Sequence, residues 1–552
     1  MKKFLAMLSL LVLSGCAALP TELDVQTGPE LAVPGTQDFA YYSPAGPALG
    51  ATQQEIVSGF LAAGTGPQND YSVAREYLSA GFAQRWQPSA KTLIRAGVPS
   101  FRESGQSILL VDINLAATLD EHGRYQEAEV GTNEVLRFQL IRQDGEWRID
   151  SAPNLTVVTQ PVFSVVFNAF PVYFADIRKS LLVPDLRWFP SRASTPTRLV
   201  NALLDGPSPW LAEGVDTAIP DETRLTINAV TVEDGVALVD FNSSALAANP
   251  LDRAVMLSQL RSTLIQISGI NEVVLTVNDS VQEIPGNRLT SFSSQGPTFI
   301  LNRSGVQRLS ATERTGLSGT EQLVKNFDPK HFAVTDESRI IAFSSDDGIY
   351  RLIRDGISIQ LDKVSDLSDI VALDFDNYGS LWVFPRDASS AIQVVDSRGN
   401  ARNLVSELNG IRISAALSPE GVRLAQAILD PSGSSKIEVQ TVVRDASLLP
   451  LRVVDGFEIN PVIGEPLSLT WQGSNAVRVL EQTASGLSAM NEYPLSGPRR
   501  PLTMPPVIGV QILSGPSSIS TYLLADTGEL WVLTGNTWRS SSTGVLALAS
   551  LR

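Results

Sequence analysis

Val371-Ala372-Leu373-Asp374-Phe375-Asp376-Asn377-Tyr378-Gly379-Ser380-Leu381-Trp382-Val383-Phe384 reads as two short apolar strands joined by a polar turn that ends in glycine. The pattern decides the fold of the carboxy-terminal half because it returns. Ile340 to Phe343 precedes Ser345-Asp346-Asp347-Gly348, and Ala415 to Leu417 precedes Pro419-Glu420-Gly421. Leu467 to Trp471 precedes Gln472-Gly473, and Tyr522 to Leu524 precedes Thr527-Gly528. Recurrence at roughly 40 to 55 residues is what a β-propeller requires, since each four-stranded blade buries its faces only against its neighbours. Residues 291–552 are therefore expected to form an all-β, propeller-like domain without helical periodicity. A pair of β-sandwiches is the alternative, and irregular spacing leaves the blades uncounted.

Upstream the periodicity changes. In residues 166–290 a helix over Thr197 to Leu204 stops at Asp205-Gly206-Pro207, and strands Leu225 to Val232 and Val236 to Phe241 meet at the tight turn Asp234-Gly235. A second helix carries Leu257, Leu260, Leu264 and Ile267 on one stripe, and Glu272 to Val277 returns as a strand, so this block is α/β. Residues 51–165 place Ile56, Val57, Phe60 and Leu61 on one helix and Tyr71, Ala74, Tyr77 and Leu78 on another. Strands over Ile108 to Leu119, Val135 to Arg142 and Trp147 to Ile149 follow, separated by the turns at Glu121-His122-Gly123 and Asp144-Gly145. Helices before an antiparallel meander predict an α+β domain, with a sheet wrapped around a helix.

The start of the chain reads as an export signal: Lys2 and Lys3, an apolar run from Phe4 to Leu13, and the exit Leu13-Ser14-Gly15-Cys16. The run is too short to span a bilayer. Its end matches a lipobox, which predicts removal of residues 1–15 and lipid on the thiol of Cys16. Residues 16–50, rich in Pro, Gly, Ala and Thr, read as a tether. Cys16 is the single cysteine, so no internal disulfide and no thiol-based metal cluster is expected. The formal charge is -16, and losing Lys2 and Lys3 with the leader leaves -18, which argues against a nucleic-acid partner and keeps the body off an anionic lipid surface.

The order of these parts resembles the LpqB-type lipoproteins of actinobacteria: lipobox, amino-terminal domain, GerMN domain and propeller-like domain. The resemblance is carried by Leu182-Val183-Pro184-Asp185-Leu186-Arg187-Trp188-Phe189-Pro190, by Thr197 to Leu204 with Asp205-Gly206-Pro207-Ser208-Pro209-Trp210-Leu211, and by Gly235 to Asp240. It implies a regulator held at the extracytoplasmic face of the cell membrane, an accessory to the MtrA-MtrB two-component system. The partner would be the extracytoplasmic part of the sensor histidine kinase, with consequences for cell-wall homeostasis and division. A cell-wall or polysaccharide-binding lipoprotein and an envelope-assembly scaffold are the alternatives.

The sequence points to no catalytic residue, cofactor or metal. His122 and His331 are the two imidazoles, both expected on the solvated surface, and neither a G-x-S-x-G elbow nor a phosphate loop occurs. A dispersed pair of carboxylates, as glycosidases use, would leave no local signature. Asp374 to Gly379 has the start of a calcium loop, but Tyr378 and Pro385 occupy positions that need oxygen ligands, so it reads as a blade turn. Trp188, Trp210, Trp382, Trp471 and Trp531 could stack on sugars, although core packing is the commoner use of the residue. Arg187, Trp188, Phe189 and Trp210 are the candidate partner contacts, with Arg187 expected to be exposed because a guanidinium is rarely buried alone.

Overall fold

The computed structural model describes residues 44–551, apart from 130, 286–288, 292–295, 311–312, 336–337, 356–357, 460–461 and 518–519. The lipobox residues Leu13, Ser14, Gly15 and Cys16 lie outside the described residues. Residues 44–50, expected to belong to the tether, already pack on the first domain: Tyr77 donates to the carbonyl of Ala45 at 2.8 Å, and Gly50 N–H donates to Glu146 at 2.9 Å.

Helix α1 (Gln53–Ala63) starts because Thr52 and Glu55 form a capping box, each side chain accepting from the other residue's backbone N–H. Its buried stripe is Ile56, Val57, Phe60 and Ala63, the spacing of one helix face. That stripe packs on a six-stranded sheet made of β1 (Lys91–Glu103), β2 (Ile108–Asp120), β3 (Tyr125–Glu127), β4 (Asn133–Gln143), β5 (Glu146–Ser151) and β6 (Thr156–Thr159). Between β4 and β5 both Asp144 and Gly145 have positive φ, as a two-residue hairpin turn needs.

The middle domain has two four-stranded sheets around one core. One contains β7 (Phe167–Asp176), β8 (Leu181–Pro190), β9 (Val215–Asp216) and a short strand at Thr290–Ser291. The other contains β10 (Thr231–Glu233), β11 (Val236–Phe241), β12 (Glu272–Val277) and β13 (Ser280–Val281). Two helices, Thr195–Leu204 and Pro250–Leu264, pack against them. The strand expected over Leu225 to Val232 shrinks to β10. Upstream of it the backbone is captured singly, with Thr226 N–H bonded to the carbonyl of Asp240 and Val230 N–H to the Thr197 hydroxyl, so no ladder forms.

The carboxy-terminal half is a propeller with six four-stranded antiparallel blades among the described residues. Blades two to six follow in chain order over 332–365, 370–404, 411–459, 465–502 and 509–542. The first blade combines Thr298–Asn302, Gly305–Leu309 and Arg314–Gly316 with the late strand Val545–Ser550, which pairs antiparallel to Thr298–Asn302 and closes the ring. The sandwich alternative is thereby excluded. One short helix, Glu321–Phe327, interrupts the strands; it is too brief to show a period and buries Leu323 in the core of the first two blades.

Candidate functional site

Three domains meet at Trp188. On β8 its backbone N–H donates to the carbonyl of Gly123 in the first domain at 2.7 Å, and its indole N–H donates to the carbonyl of Ser496 in the propeller at 2.9 Å. Its ring packs with Phe163, Phe167 and Tyr125. Gly123 is required here. Its φ is +80°, and a β-carbon would stand 2.6 Å from the Trp188 carbonyl oxygen.

Arg187 is wholly buried, which corrects the expectation of an exposed contact. Its guanidinium donates to Asp185 at 2.8 Å and to the carbonyl of Gly206 at 2.7 Å, and Asp185 also accepts from the N–H (2.8 Å) and hydroxyl (3.0 Å) of Ser208. The partner that permits burial thus sits two residues away on the same strand, and the pair pins the loop that carries Trp210. Trp188 and Phe189 are 9% and 4% exposed and serve the cores, so neither is available to an outside protein. Trp210 is half-buried, edge-on to Phe457 of the propeller with ring centres 4.9 Å apart.

The middle domain is also clamped to the propeller elsewhere. Tyr378 lies between the guanidinium groups of Arg178 (4.4 Å) and Arg444 (3.9 Å), and its hydroxyl reaches Asp176 at 3.3 Å. Arg423, paired in the interior with Glu420 at 2.6 Å, donates to the carbonyl of Pro184. Asp376, the third position of the loop that opens like a calcium site, has its oxygens occupied by the N–H groups of Tyr378 and Ser380, the indole of Trp382 and the guanidinium of Arg444. The loop is a blade turn. Among the described residues no group of three His, Cys, Asp or Glu side chains is placed to hold a metal.

Where the three domains converge they leave a cleft of about 470 Å³, within the range of small-molecule sites. Thr118, Asp120, Arg124, Tyr125, Gln126 and Glu127 supply the first-domain wall; Asp185, Leu186, Ser208 and Trp210 supply the middle wall; Phe457 to Ile459 and Tyr493 to Gly497 supply the propeller wall. The corners are tied together: Arg124 donates to Ser208 at 3.0 Å, and Tyr125 N–H donates to the Ser496 hydroxyl at 3.1 Å. Burial raises the carboxyl of Glu127 above its usual range, with Arg499 opposing, and burial together with the charge of Glu127 pushes the Tyr125 phenol up. Of these residues only Trp210 was singled out in the sequence for contact. The others come from three stretches, 118–127, 185–208 and 457–497, with no spacing in the sequence that marks them as one site.

A second cavity, about 310 Å³, runs among the innermost strands of all six blades. His331 lines it and is not a solvated side chain: burial first, then the charges of Arg386 and Lys330, hold its imidazole down to about 4. His122 does stand in a turn, between Glu121 and Asp205 at 3.7 and 3.6 Å. Trp382 and Trp471 are wholly buried and belong to the blade cores.

Residues 46–164 match the family described as lipoprotein LpqB, N-terminal domain, and residues 171–283 match the family described as sporulation and spore germination. The lipoprotein LpqB of Thermobifida fusca is 28% identical over 402 residues, covering 67% of this chain and 64% of its own length. That of Rhodococcus jostii is 26% identical over an alignment of 597 positions, covering 98% of this chain and 96% of its own. Among solved structures, the first GerMN domain of the sporulation protein GerM from Bacillus subtilis is 23% identical, with a TM-score of 0.19, covering 22% of this chain and 92% of that one.

Proposed function

We propose, from the premise that this chain has the domain order of the LpqB-type lipoproteins, that it is a lipid-anchored, extracytoplasmic regulator rather than a catalyst. In this reading Cys16 carries the lipid, and the body binds the extracytoplasmic domain of a sensor histidine kinase of the MtrA-MtrB type, influencing wall homeostasis and division. The observation that supports it most is the locking of three domains through Trp188, Tyr378 and Arg423. A regulator that works by contact needs a surface of fixed shape, and polar bonds buried between domains supply one. Two or three acyl chains, at about 0.8 kcal/mol per buried methylene, would hold the body at the membrane where one chain is marginal.

The test has two arms. In membranes, Cys16→Ser should abolish fatty-acid incorporation and leave the leader uncleaved. In solution, the folded body should form a saturable complex with the purified sensor domain of its own organism. Incorporation unaffected by the substitution would refute the anchor, and absence of the complex would refute the regulatory partner.

A further inference from the structure

We infer that the three-domain cleft is a binding site for a short, uncharged saccharide of two or three rings. The assignment rests on what faces the cleft unpaired. Thr118, Tyr125, Gln126, Glu127 and Trp210 all line it, and their side-chain polar groups make no hydrogen bond to the described residues, nor is any sealed from solvent. Polar side chains that converge on a cleft of this size with no protein partner are open to a ligand able to pair with them.

The chemistry of the set names the class. The indole N–H donates, the Glu127 carboxylate accepts, and the hydroxyls and the amide do both. A hydroxyl-rich ring presents donors and acceptors together at every position, which suits such a mixture. Trp210 and Phe457 add aromatic surface at the wall, the usual companion of the C–H faces of a sugar ring.

Charge narrows it further. The other carboxylates of the cleft are already matched, Asp120 by Arg124, Asp185 by Arg187 and Glu458 by Lys436, and Glu127 lies in the field of Arg499. That balance gives a cation little advantage, while Glu127, which has no ion-pair partner within reach among the described residues, opposes an anion. Ile459 and Leu495, the aliphatic lining on the propeller side, are themselves buried, which leaves no empty apolar pocket there for a peptide side chain. The assignment stands apart from the kinase reading, since it requires no protein partner.

The test uses the chain without leader or lipid, residues 17–552, with chitotetraose and maltotetraose as neutral probes, tetragalacturonate as the anionic one and an extended tetrapeptide as the competing class. Calorimetry should give saturable binding of at least one neutral probe at a Kd below about 10 mM, with tetragalacturonate weaker. Glu127→Gln and Trp210→Phe should each weaken that binding by about tenfold, the loss of one good hydrogen bond, with the melting temperature of Glu127→Gln unchanged. Gln126→Ala, at an exposed position, guards against a variant that fails to fold. No saturable neutral saccharide, binding indifferent to all three substitutions, or preference for the tetrapeptide would each overturn the assignment. Binding to the sensor domain is scored separately in the same variants, so failure of one reading is distinguishable from failure of the other.

Discussion

Arg187 and His331 are charged or chargeable groups that the fold takes out of water in opposite ways. Arg187 is accommodated in the interior by Asp185 and the carbonyl of Gly206, which meet it at 2.8 and 2.7 Å. Arg187→Ala leaves a buried carboxylate with Ser208 alone for support, and the expected loss is about 3 to 5 kcal/mol of stability, read by denaturant unfolding. Replacing both partners, Arg187→Leu with Asp185→Leu, should recover most of it; a double variant as unstable as the single one would contradict the ion-pair account. His331 stays neutral instead. Its imidazole titrates near 4 in the fold and near 6.5 in the unfolded chain. Between those values the unfolded state binds the extra proton, so the stability tied to His331 is complete above about pH 6.5 and is lost as pH falls towards 4. The ring is not fully cut off from solvent, which puts the effect at about 1 to 3 kcal/mol. His331→Gln should flatten the stability profile across that window, and an unchanged slope would show that other groups carry it.

At the scale of elements, the strand Val545–Ser550 does more than end the chain. It supplies the inner strand of the first blade and buries Val545, Ala547, Leu548 and Ala549 in two cores. Truncation after Gly544 should cost the propeller several kcal/mol through lost burial. It should also expose the edge of Thr298–Asn302 as a template for association. Limited proteolysis and size-exclusion chromatography measure both effects. A monomer as protease-resistant as the full chain would mean that the ring is held shut by the blade faces and not by this pairing. The same pairing explains why blades could not be counted along the chain. One of the six is assembled from segments more than 200 residues apart.

Across the whole molecule, the bonds through Trp188, Tyr378 and Arg423 predict that residues 44–551 unfold in one calorimetric transition, although three domains are present. Gly123→Ala tests this at the junction itself. The new β-carbon would meet the Trp188 carbonyl oxygen at 2.6 Å, and a non-glycine residue is strained at a φ of +80°. The expected result is a split into at least two transitions and a larger radius of gyration by solution scattering. A single sharp transition at the original temperature would mean that the junction tolerates separation of the first two domains.

Local chemistry was enough to read the elements. The Asp-Gly turns, the Thr52–Glu55 cap and the period of Ile56, Val57 and Phe60 act within a few residues, so three domains, their classes and the propeller style of the last are readable along the chain. The resemblance is readable in the same way, since the segments at 182–190 and 197–211 are contiguous. Burial was not legible. Arg187 looks like a surface residue until Asp185 and the turn at Gly206 fold around it, and Trp188 looks like a hot spot until Gly123 and Ser496 take both of its N–H groups. The cleft was the least legible feature. Glu127, Trp210 and Phe457 meet only because three domains dock, and contacts fixed by docking leave no period or spacing in the chain.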